Sequence, residues 1–374
     1  MSEATVAGSP ELAPGTSEAF RAVAHDELMR SEIMESLCRA EARAEEPEAF
    51  RTTVRWPLIR ALLDEAGTHR VRLANGLVFE VGTDSRIEQA LLLSPDAPPD
   101  HVWEPQTTKL LLLLAEDARP ALVGGAYIGD HALMLAQALA RWGEGIWVHA
   151  FEPMSSAFER LLRNRELSDV RSLRAERLAL WDTSDEELAL EGPPALASSQ
   201  PAGDAVDGET VRSITIDDYI AAEGLESVGL LMIDTEGGEE RALAGATNLL
   251  SRPFPEAPSC VFEVHRDYVD WSRGLETTDV VRFLIDRGYV LFAVRDVHGN
   301  HSMRDQPIEV IPVERVYLEG PPHGFNLLAT KDPDLVGRLG LRMVEDVSPK
   351  LLFDRDPSLH HPVGGFVNKR EENR

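Results

Sequence analysis

Apolar and polar positions alternate in two ways along the chain from about Lys109 onward. Short apolar runs bounded by turn residues are typical of buried strands, and longer stretches with apolar residues at helical spacing are typical of amphipathic helices. The predicted strands read "ALVGGA", "GIWVHAFEP", "RLALWD", "VGLLMIDTEG", "SCVFEVH", "YVLFAV" and "NLLAT", and the predicted helices read "DHALMLAQALARW", "SSAFERLLRNR", "EERALAGATNLL" and "TTDVVRFLIDRG". This alternation predicts an α/β fold with helices on both faces of a parallel sheet, and right-handed crossovers make the sheet doubly wound.

The first 105 residues have a different pattern. Residues 1–16 are rich in Gly, Pro, Ser and Ala and are predicted to be disordered. Helical periodicity follows over residues 17–46, and "VRLANGLVFEV" places an Asn-Gly pair between alternating apolar residues, which is a strong hairpin signal. We therefore predict an N-terminal α+β appendage, helical and hairpin, over residues 17–105. Simple packing on the main domain and a homodimer formed through the appendage both stay open.

Two insertions interrupt the alternation within a main domain at residues 106–331. Residues 191–208 have loop composition and predict a flexible surface insertion, with a mobile lid as the alternative. Residues 295–325 separate the last two strands and contain "IEVIPV" and "VYL", which are too apolar for disorder. Long loops inside compact domains are usually functional or disordered, so we predict a substrate-binding lid there. Residues 332–374 form a C-terminal tail to which we assign no function.

Charge and cysteine content exclude several classes of partner and compartment. The 64 Asp and Glu residues outnumber the 37 Lys and Arg residues, which gives a formal net charge of −27. A field of this sign repels phosphate groups, so neither nucleic acid nor an anionic membrane is an expected partner. Cys38 and Cys260 lie in unrelated segments, and the N-terminus has no apolar signal segment. These features predict a reduced, cytoplasmic protein.

A glycine-rich turn follows the first predicted strand of the main domain. "LVGGAYIGDH" holds Gly125 and Gly129 between a strand and a helix, where glycines let a ligand approach the backbone and the helix start offers unpaired N–H groups. Such turns often serve packing alone. Glu152, however, ends the next strand, and an acid about 20 residues beyond such a loop is suited to binding ribose hydroxyls. The pair therefore favours a nucleotide-like cofactor.

Four ionisable residues come at the ends of two later strands. Asp234 and Glu236 follow the run "GLLMI", and Glu263 and His265 end "SCVFEVH". Parallel strands bring their carboxyl ends to one edge of the sheet, where open α/β sheets bind ligands. An acid at a strand end can also serve as a helix N-cap, which explains Asp234 alone better than it explains the cluster.

Four segments, in this order, resemble the FkbM-type methyltransferases: "GGAYIGDHALMLA", "VHAFEPMSSAFERLLRN", "ITIDDYI" and "LLMIDTEGGEERALAGATNLL". "WEPQ" ahead of the loop fits the same pattern, and the resemblance covers roughly residues 77–331. It implies a Rossmann-like class I methyltransferase fold with a seven-stranded sheet, S-adenosylmethionine (SAM) as cofactor, and O-methylation of a hydroxyl on a sugar, glycan or natural product. Two positions depart from the family: Val123 stands where an Asp is usual, and Tyr127 where an Asn is usual.

The resemblance also assigns roles to residues. It implies that the glycine loop binds the amino-acid end of SAM, that Glu152 binds the ribose, and that "LALWD" flanks the adenine, with Asp182 accepting from the adenine amine. Core packing stays open for Trp181, and Asp130 is the first candidate to replace the acid missing at Val123. The predicted cofactor-binding residues are Gly125, Ala126, Tyr127, Gly129, Asp130, Glu152, Pro153, Leu180, Trp181, Asp182 and Asp234.

A hydroxyl is a weak nucleophile, so transfer to it is helped by a positioned base. His265 is the first candidate because the unperturbed pKa of histidine is near neutrality, and Asp234 is the second. A divalent metal on Asp234, Glu236 and Glu263 is a third arrangement. The predicted substrate-binding residues are Glu236, Glu263, Arg295, Asp296, His298, Asn300, His301 and His323.

Two other functions stay open on the sequence. A NAD-dependent oxidoreductase would use a similar Rossmann fold, although this loop lacks the full G-x-G-x-x-G fingerprint. A noncatalytic relative with a degenerate SAM site would explain Val123. Binding of SAM, of NAD, or of neither separates the three functions.

Overall fold

The computed structural model describes residues 16–351 except 42, 67–68, 84, 95, 144, 194, 196, 202–207, 319–323 and 346. The disorder predicted for residues 1–16 falls outside the described residues except at Thr16, where a helix begins. Residues 352–374 of the tail and parts of both insertions also lie outside them. The chain divides into two compact units, Met1–Arg70 with Val81–Asp84 and Val71–Glu80 with Ser85–Arg374.

The smaller unit is helical. Its helices are Thr16–His25 (α1), Glu27–Glu41 (α2), Pro47–Phe50 (α3) and Trp56–Ala66 (α4), with a π-helical turn at Arg51–Arg55. Ile59, Leu62 and Leu63 are buried at helical spacing on α4. The buried carboxylate of Glu41 accepts hydrogen bonds from Arg51 at 2.8 Å and from Arg55 at 2.7 Å. These bonds join the end of α2 to the turn before α4.

The boundary between the units falls in a hairpin of His69–Arg72 (β1) and Val78–Val81 (β2). Its turn contains Asn75 and Gly76, the latter at φ +91°, so the hairpin predicted from the Asn-Gly pair is present. The division also separates residues 85–105, which belong to the larger unit, from the helices that precede them.

The larger unit contains the remaining strands and helices. Its strands are Ala121–Gly124 (β3), Val148–Phe151 (β4), Leu173–Glu176 (β5), Ala179–Leu180 (β6), Glu187–Glu191 (β7), Ser198–Pro201 (β8), Thr210–Ile214 (β9), Leu230–Ile233 (β10), Ser259–His265 (β11), Val290–Arg295 (β12), Glu309–Pro312 (β13), Gly324–Thr330 (β14) and Arg342–Met343 (β15). Its helices are Arg86–Leu92 (α5), Pro105–Leu114 (α6), Asp130–Leu139 (α7), Ser155–Leu167 (α8), Ile216–Glu223 (α9), Glu239–Ala244 (α10), Thr247–Leu250 (α11), Asp279–Ile285 (α12) and Leu335–Arg338 (α13). None of the helices within the described ranges is long and apolar enough to cross a membrane.

Nine of these strands form one sheet, in the order β15-β13-β12-β14-β11-β10-β3-β4-β5. The strands β11, β10, β3, β4 and β5 are parallel, and β14 is antiparallel to both of its neighbours. The seven strands that lie between β5 and β12 in the sheet can be numbered 1 to 7 in chain order, so that β3 is strand 1 and β14 is strand 7. Read from β5 to β12, their order in the sheet is 3-2-1-4-5-7-6, and strand 7 runs opposite to the others. This arrangement confirms the class I methyltransferase fold, and β13 and β15 extend one edge.

The chain order reverses between β3 and β10, whose residues are all buried. Strand connections leave in opposite directions at such a reversal, so the carboxyl ends of the two strands face an open crevice. The parallel strands β4 and β11 end at the same edge. The loops that carry the predicted site residues therefore meet there.

Three elements differ from the sequence pattern. The strand read at "RLALWD" is β6, which pairs with β9 in a separate four-stranded sheet, while β5 just before it completes the main sheet. The stretch "EERALAGATNLL" forms two helices, α10 and α11, because the backbone leaves the helical conformation at Ala246, which has φ −110° and ψ +22°. Part of the insertion at 191–208 forms β8, which pairs with β7.

Candidate active site

The glycine loop joins β3 to α7 along the crevice. The amides of Gly125 and Ala126 both donate to the carbonyl of Phe151, at 3.0 and 2.9 Å. Gly125 has φ +74°, and a Cβ built on it would lie 1.6 Å from the carbonyl oxygen of Asp234. The loop therefore lies directly against the end of β10, and this contact requires glycine.

Glu152, at the end of β4, holds the glycine loop from the other side. Its carboxylate accepts hydrogen bonds from the amide of Tyr127 at 2.8 Å and from the amide of Met154 at 2.9 Å. The side chain is buried, and burial raises its pKa to about 7 against the opposing effect of these two bonds. A buried carboxyl that titrates near neutrality is a frequent feature of functional sites.

Tyr127, the residue that replaces the usual Asn, anchors the loop to α5. It has φ +44° and donates its hydroxyl proton to Glu88 at 2.6 Å. Glu88 is fully buried and is also paired with Arg160 on α8. The side chain at position 127 is therefore held by a buried ion pair.

A cleft of about 780 Å³, including its opening to solvent, runs along this edge of the sheet. It is lined by Ile87, Gly125, Tyr127, Asp130, His131, Phe151, Glu152, Pro153, Leu178, Ala179, Leu180, Trp181, Ala195, Ala197, Ser199, Asp234, Thr235, Glu236 and Gly238. The structure thus brings most of the predicted cofactor residues to one surface, while Ala126 and Gly129 are buried behind it.

One end of the cleft is mostly apolar. Leu180 and Trp181 form one wall, and residues 195, 197 and 199 of the insertion add to the lining. Trp181 also packs in a hydrophobic cluster with residues of the small sheet, which confirms the core-packing alternative, and contact with adenine stays a prediction. Asp182 is not part of the lining, because its carboxylate pairs with Arg241 at 2.5 Å.

The loop after β10 gives the cleft an acidic part, which we call its acidic end. Asp234 and Glu236 line it, and Glu236 has φ +52°. The carboxylate of Glu239 accepts from the amide of Thr235 at 2.7 Å and from the amide of Gly237 at 3.1 Å. Glu239 therefore holds the loop that presents the other two acids.

Burial and mutual repulsion change the protonation of these acids. Burial, then the charges of Glu263 and Glu236, raise the pKa of Asp234 well above its ordinary value. Burial, then the charge of Glu239, raise the pKa of Glu236 to about 7, and burial with Glu236 raises the pKa of Glu263 well above normal. The acidic end therefore retains protons near neutral pH.

His265, the first candidate base, ends β11 outside the lining of the cleft. Its ring packs against Tyr268 with centroids 5.4 Å apart. Its Nδ1 accepts a hydrogen bond from the amide of Asp267 at 3.1 Å. In this arrangement the neutral ring carries its proton on Nε2, so protonation of Nδ1 would break that bond.

Three of the predicted substrate residues in the insertion have partners inside the fold. The guanidinium of Arg295, 1% exposed, donates to Glu309 at 2.9 Å. Asp296 accepts from the first amides of α6, including that of Thr107 at 2.6 Å. Asn300 donates to two backbone carbonyls, at 2.6 and 2.8 Å. Buried polar groups require such partners, and these bonds fasten the insertion to the main domain.

His298 is the insertion residue closest to the acidic strand ends. Its Nε2 lies 3.0 Å from the carboxylate of Glu104 and contacts the amino group of Lys350. Asn326 on β14 donates to Glu104 at 2.6 Å and lies opposite Glu263 in the sheet. Half-buried His301 lies beside Gly299. His323 lies outside the described residues.

We use the term buried charge cluster for Glu104, His298, Asn326 and Lys350. Burial raises the pKa of Glu104, but the bond from His298 and the charges of His298 and Lys350 outweigh it and hold the pKa at about 2. Burial lowers the pKa of Lys350 to about 8, against the charges of four nearby acids. Sequence reasoning missed Glu104 and Lys350 as site residues; "WEPQ" was a signal for the first, and nothing in the tail marked the second.

The acids do not form a metal site in this arrangement. Among the residues that the structure describes, no group of three or more His, Cys, Asp or Glu side chains is placed to hold a metal ion. Asp234, Glu236 and Glu263 lie close enough for their charges to interact, since Glu263 and Glu236 raise the pKa of Asp234 and Glu236 raises the pKa of Glu263. Burial, and then the charges of neighbouring acids, raise their pKa values.

Comparison with known proteins agrees with this geometry. Residues 124–291 match the model of the methyltransferase FkbM domain. Over this segment the chain is similar to the FkbM family of methyltransferases. A relative in that family, 31-O-demethyl-FK506 methyltransferase FkbM of Streptomyces tacrolimicus, is 27% identical over 236 residues, which are 61% of this chain and 78% of the relative.

Two solved methyltransferase structures also match part of this chain. An O-methyltransferase from Bacillus cereus in complex with SAH is 18% identical, covers 66% of this chain and 91% of its own, and has a TM-score of 0.36. Precorrin-6y C5,15-methyltransferase from Geobacter metallireducens is 12% identical, covers 61% and 88%, and has a TM-score of 0.33. At these TM-scores the fold assignment rests on the strand order itself.

Within the FkbM pattern, position 123 is the clearest departure. Val123 is buried in β3, paired with Met232 on β10 and Ala150 on β4. Its side chain is part of the apolar interior of the sheet. The acids that line this region of the cleft are instead Asp130 and Asp234.

Proposed function

We propose that this chain transfers the methyl group of SAM to a hydroxyl of a sugar, glycan or other natural product. The observation that carries the proposal is the cleft at the reversal point of the sheet, where Gly125, Glu152 and the acids Asp234 and Glu236 share one lining. The Streptomyces relative supports an oxygen acceptor on a natural product, since its name describes a 31-O-demethyl-FK506 methyltransferase.

The residues of the cleft fit SAM along its length. Leu180 and Trp181 offer apolar surface to an adenine ring. Each carboxylate oxygen of Glu152 accepts one backbone amide and has a lone pair left for a ribose hydroxyl. Gly125 lets the backbone approach a ligand closely. When bound, SAM supplies a methyl group on a positively charged sulfur.

Asp234 is the better candidate for the base. It lines the cleft, whereas His265 does not and has its Nδ1 lone pair engaged with an amide. The raised pKa of Asp234 makes its carboxylate a stronger proton acceptor once it is ionised. Asp234 therefore takes the proton of the acceptor hydroxyl, and transfer is faster at higher pH.

Glu236 is the acceptor-binding residue that the cleft supports best. Its positive φ and the bonds of Glu239 to the loop fix its position at the acidic end. With a pKa of about 7, it exists as both carboxyl and carboxylate near neutral pH. A carboxyl can donate as well as accept, which suits an acceptor rich in hydroxyl groups.

Calorimetry with S-adenosylhomocysteine (SAH) and NAD tests the proposed cofactor. We expect wild-type protein to bind SAH and not NAD. Glu152→Gln should bind SAH about 10-fold or more weakly, because a charge-assisted hydrogen bond to ribose is lost. NAD binding without SAH binding would favour the oxidoreductase, and binding of neither would favour a noncatalytic relative.

The pH dependence of SAH affinity provides a control for the role of Glu152. Its pKa is about 7 in the folded protein, and the ionised form is the stronger hydrogen-bond acceptor. Affinity should therefore rise as pH increases through about 7 in the wild type. The Glu152→Gln variant cannot ionise at this position. The part of the increase in SAH affinity that comes from ionisation of residue 152 should therefore be absent in this variant.

Transfer of isotope-labelled methyl groups from SAM to acceptors in an extract of the source organism tests the base. Asp234→Asn should slow label transfer by about 100-fold or more, the usual contribution of a positioned base. His265→Gln should transfer label at close to the wild-type rate. SAH affinity, measured on the same preparations, should stay within about threefold for His265→Gln, and in Asp234→Asn it separates any loss of cofactor binding from the loss of transfer rate. Normal transfer by Asp234→Asn, with slow transfer by His265→Gln, would return the base role to His265.

A further inference from the structure

His131 is a cleft residue that neither the motifs nor the proposed reaction uses. It lies in the first turn of α7, lines the cleft and is 5% exposed. Within the described part of the chain, its Nε2 has no hydrogen-bond partner. One carboxylate oxygen each of Asp130 and Glu104 lies 3.9 Å from this nitrogen. A buried polar atom without a partner is costly, so a ligand that supplies one is favoured.

The neighbouring hydroxyl determines which ring nitrogen carries the proton. Thr108 donates its single hydroxyl proton to the carbonyl of Trp103 at 2.8 Å. Its Oγ1 also lies 3.2 Å from Nδ1 of His131, so it must accept a proton from that nitrogen. A neutral imidazole has one N–H, which is then on Nδ1. Nε2 is left as a lone pair, which can only accept a hydrogen bond.

Three acceptors therefore lie near one another, since Oδ2 of Asp130 and Oε2 of Glu104 are each 3.9 Å from Nε2 of His131. Glu104 is ionised, because its pKa is held at about 2. Its Oε2 accepts one bond from Asn326, at 2.6 Å, and has a further lone pair. Separations of 3.9 Å are too long for direct hydrogen bonds but leave room for a donor between the groups. An anion would be repelled here, whereas a primary ammonium carries three N–H donors and a positive charge.

We propose that His131, Asp130 and Glu104 bind the α-ammonium group of the cofactor's amino-acid end. The inference rests on the proposed function, because it takes the ligand of the cleft to be SAM. It also names the residues that replace the acid missing at Val123. The family's acid position faces the apolar interior of the sheet in this chain. Acceptors on α7 and before α6 take its place, with the negative charge on Glu104.

The test compares three ligands by calorimetry: SAH, its deaminated analogue that keeps the carboxylate, and 5′-methylthioadenosine, which lacks the amino-acid end. Wild-type protein should bind SAH about 10-fold or more tightly than the deaminated analogue. His131→Phe should bind SAH about 10-fold more weakly and the other two ligands with little change. His131→Gln, whose amide oxygen can replace the Nε2 acceptor, should bind SAH with intermediate affinity.

His149 provides a matched control. It is a second buried histidine without a partner on Nε2 among the described residues, and its Nδ1 lies 2.8 Å from the hydroxyl of Tyr219, but it does not line the cleft. His149→Phe should keep the wild-type preference for SAH over the deaminated analogue. Retained binding of 5′-methylthioadenosine establishes that each variant is folded.

Two results would overturn the inference: equal wild-type affinity for SAH and its deaminated analogue, or an equal loss for both in His131→Phe. If wild-type protein binds none of the three ligands, the proposed function fails as well. That outcome is distinct from SAH binding that does not depend on the ammonium group.

Discussion

Gly125→Ala is expected to reduce SAH affinity by more than about 100-fold and to destabilise the fold. Alanine at φ +74° costs about 1–2 kcal/mol in backbone energy alone. The added Cβ would also lie 1.6 Å from the carbonyl oxygen of Asp234, which is backbone and has no rotamer to change. The loop after β3 and the loop after β10 must therefore separate. Both line the cleft, so the cofactor site is distorted on two sides, and a displacement of about 1 Å can cost about 100-fold in function.

Gly224→Ala separates the collision from the backbone penalty. Gly224 follows α9 with a similar φ of +65°, and a Cβ added to it would meet nothing within 4 Å beyond its chain neighbours. We expect this variant to lose about 1–2 kcal/mol of unfolding free energy and to bind SAH as the wild type does. Calorimetry and chemical denaturation measure the two quantities. Wild-type SAH affinity in Gly125→Ala would contradict the close approach of the loops.

Lys350→Met is expected to lower the free energy of unfolding by about 3–5 kcal/mol, the usual cost of removing one partner from buried charges. Lys350 is 2% exposed, and its ammonium faces the charges of Glu104, Glu263, Asp296 and Asp234. Methionine fills a similar volume but leaves these carboxyls without a compensating charge. Lys109→Met is the control, since Lys109 is only half-buried and bonds two backbone carbonyls; it should cost about 1 kcal/mol or less.

The loss in Lys350→Met should depend on pH. Without the ammonium, the lowered pKa of Glu104 increases from about 2, and the already raised pKa values of Asp234 and Glu263 rise further in the folded state. A carboxyl whose folded pKa exceeds its unfolded value stabilises the fold at low pH, and that contribution is lost as pH rises. The deficit relative to wild type should therefore be smallest at acidic pH and increase as pH rises above about 2, where Glu104 ionises in the wild type. A deficit that does not change with pH would mean that Lys350 acts by packing alone.

The insertion after β12 illustrates a limit of sequence reasoning. Its polar residues, in a loop at the cofactor edge, are assigned to substrate binding from sequence. In the structure, Arg295 pairs with Glu309, and Asp296 receives the amides that start α6. Residue type and position are the same for a substrate ligand and for a buried structural ion pair. Only burial and the identity of the neighbour distinguish them.

The buried charge cluster shows the converse limit, in which residues that no sequence pattern marks come together in the folded protein. Glu104, His298, Asn326 and Lys350 come from four separate parts of the chain. Each is unremarkable in its own segment, and Lys350 lies in a tail without any motif. Burial beside acids gives Lys350 a role, because a buried charge requires a partner from whichever segment lies next to it in space.

The sequence by itself determined the alternation of strands and helices that makes the main domain α/β, the glycine loop, Glu152 and the acids at the ends of β10 and β11. These features are local, since hydrophobic period, turn residues and residues at strand ends are properties of neighbouring positions along the chain. The tertiary structure decided which polar residues line the cleft, which ones hold the fold, and what surrounds His131. Those properties depend on burial and on charges brought together from distant segments, which no local pattern records.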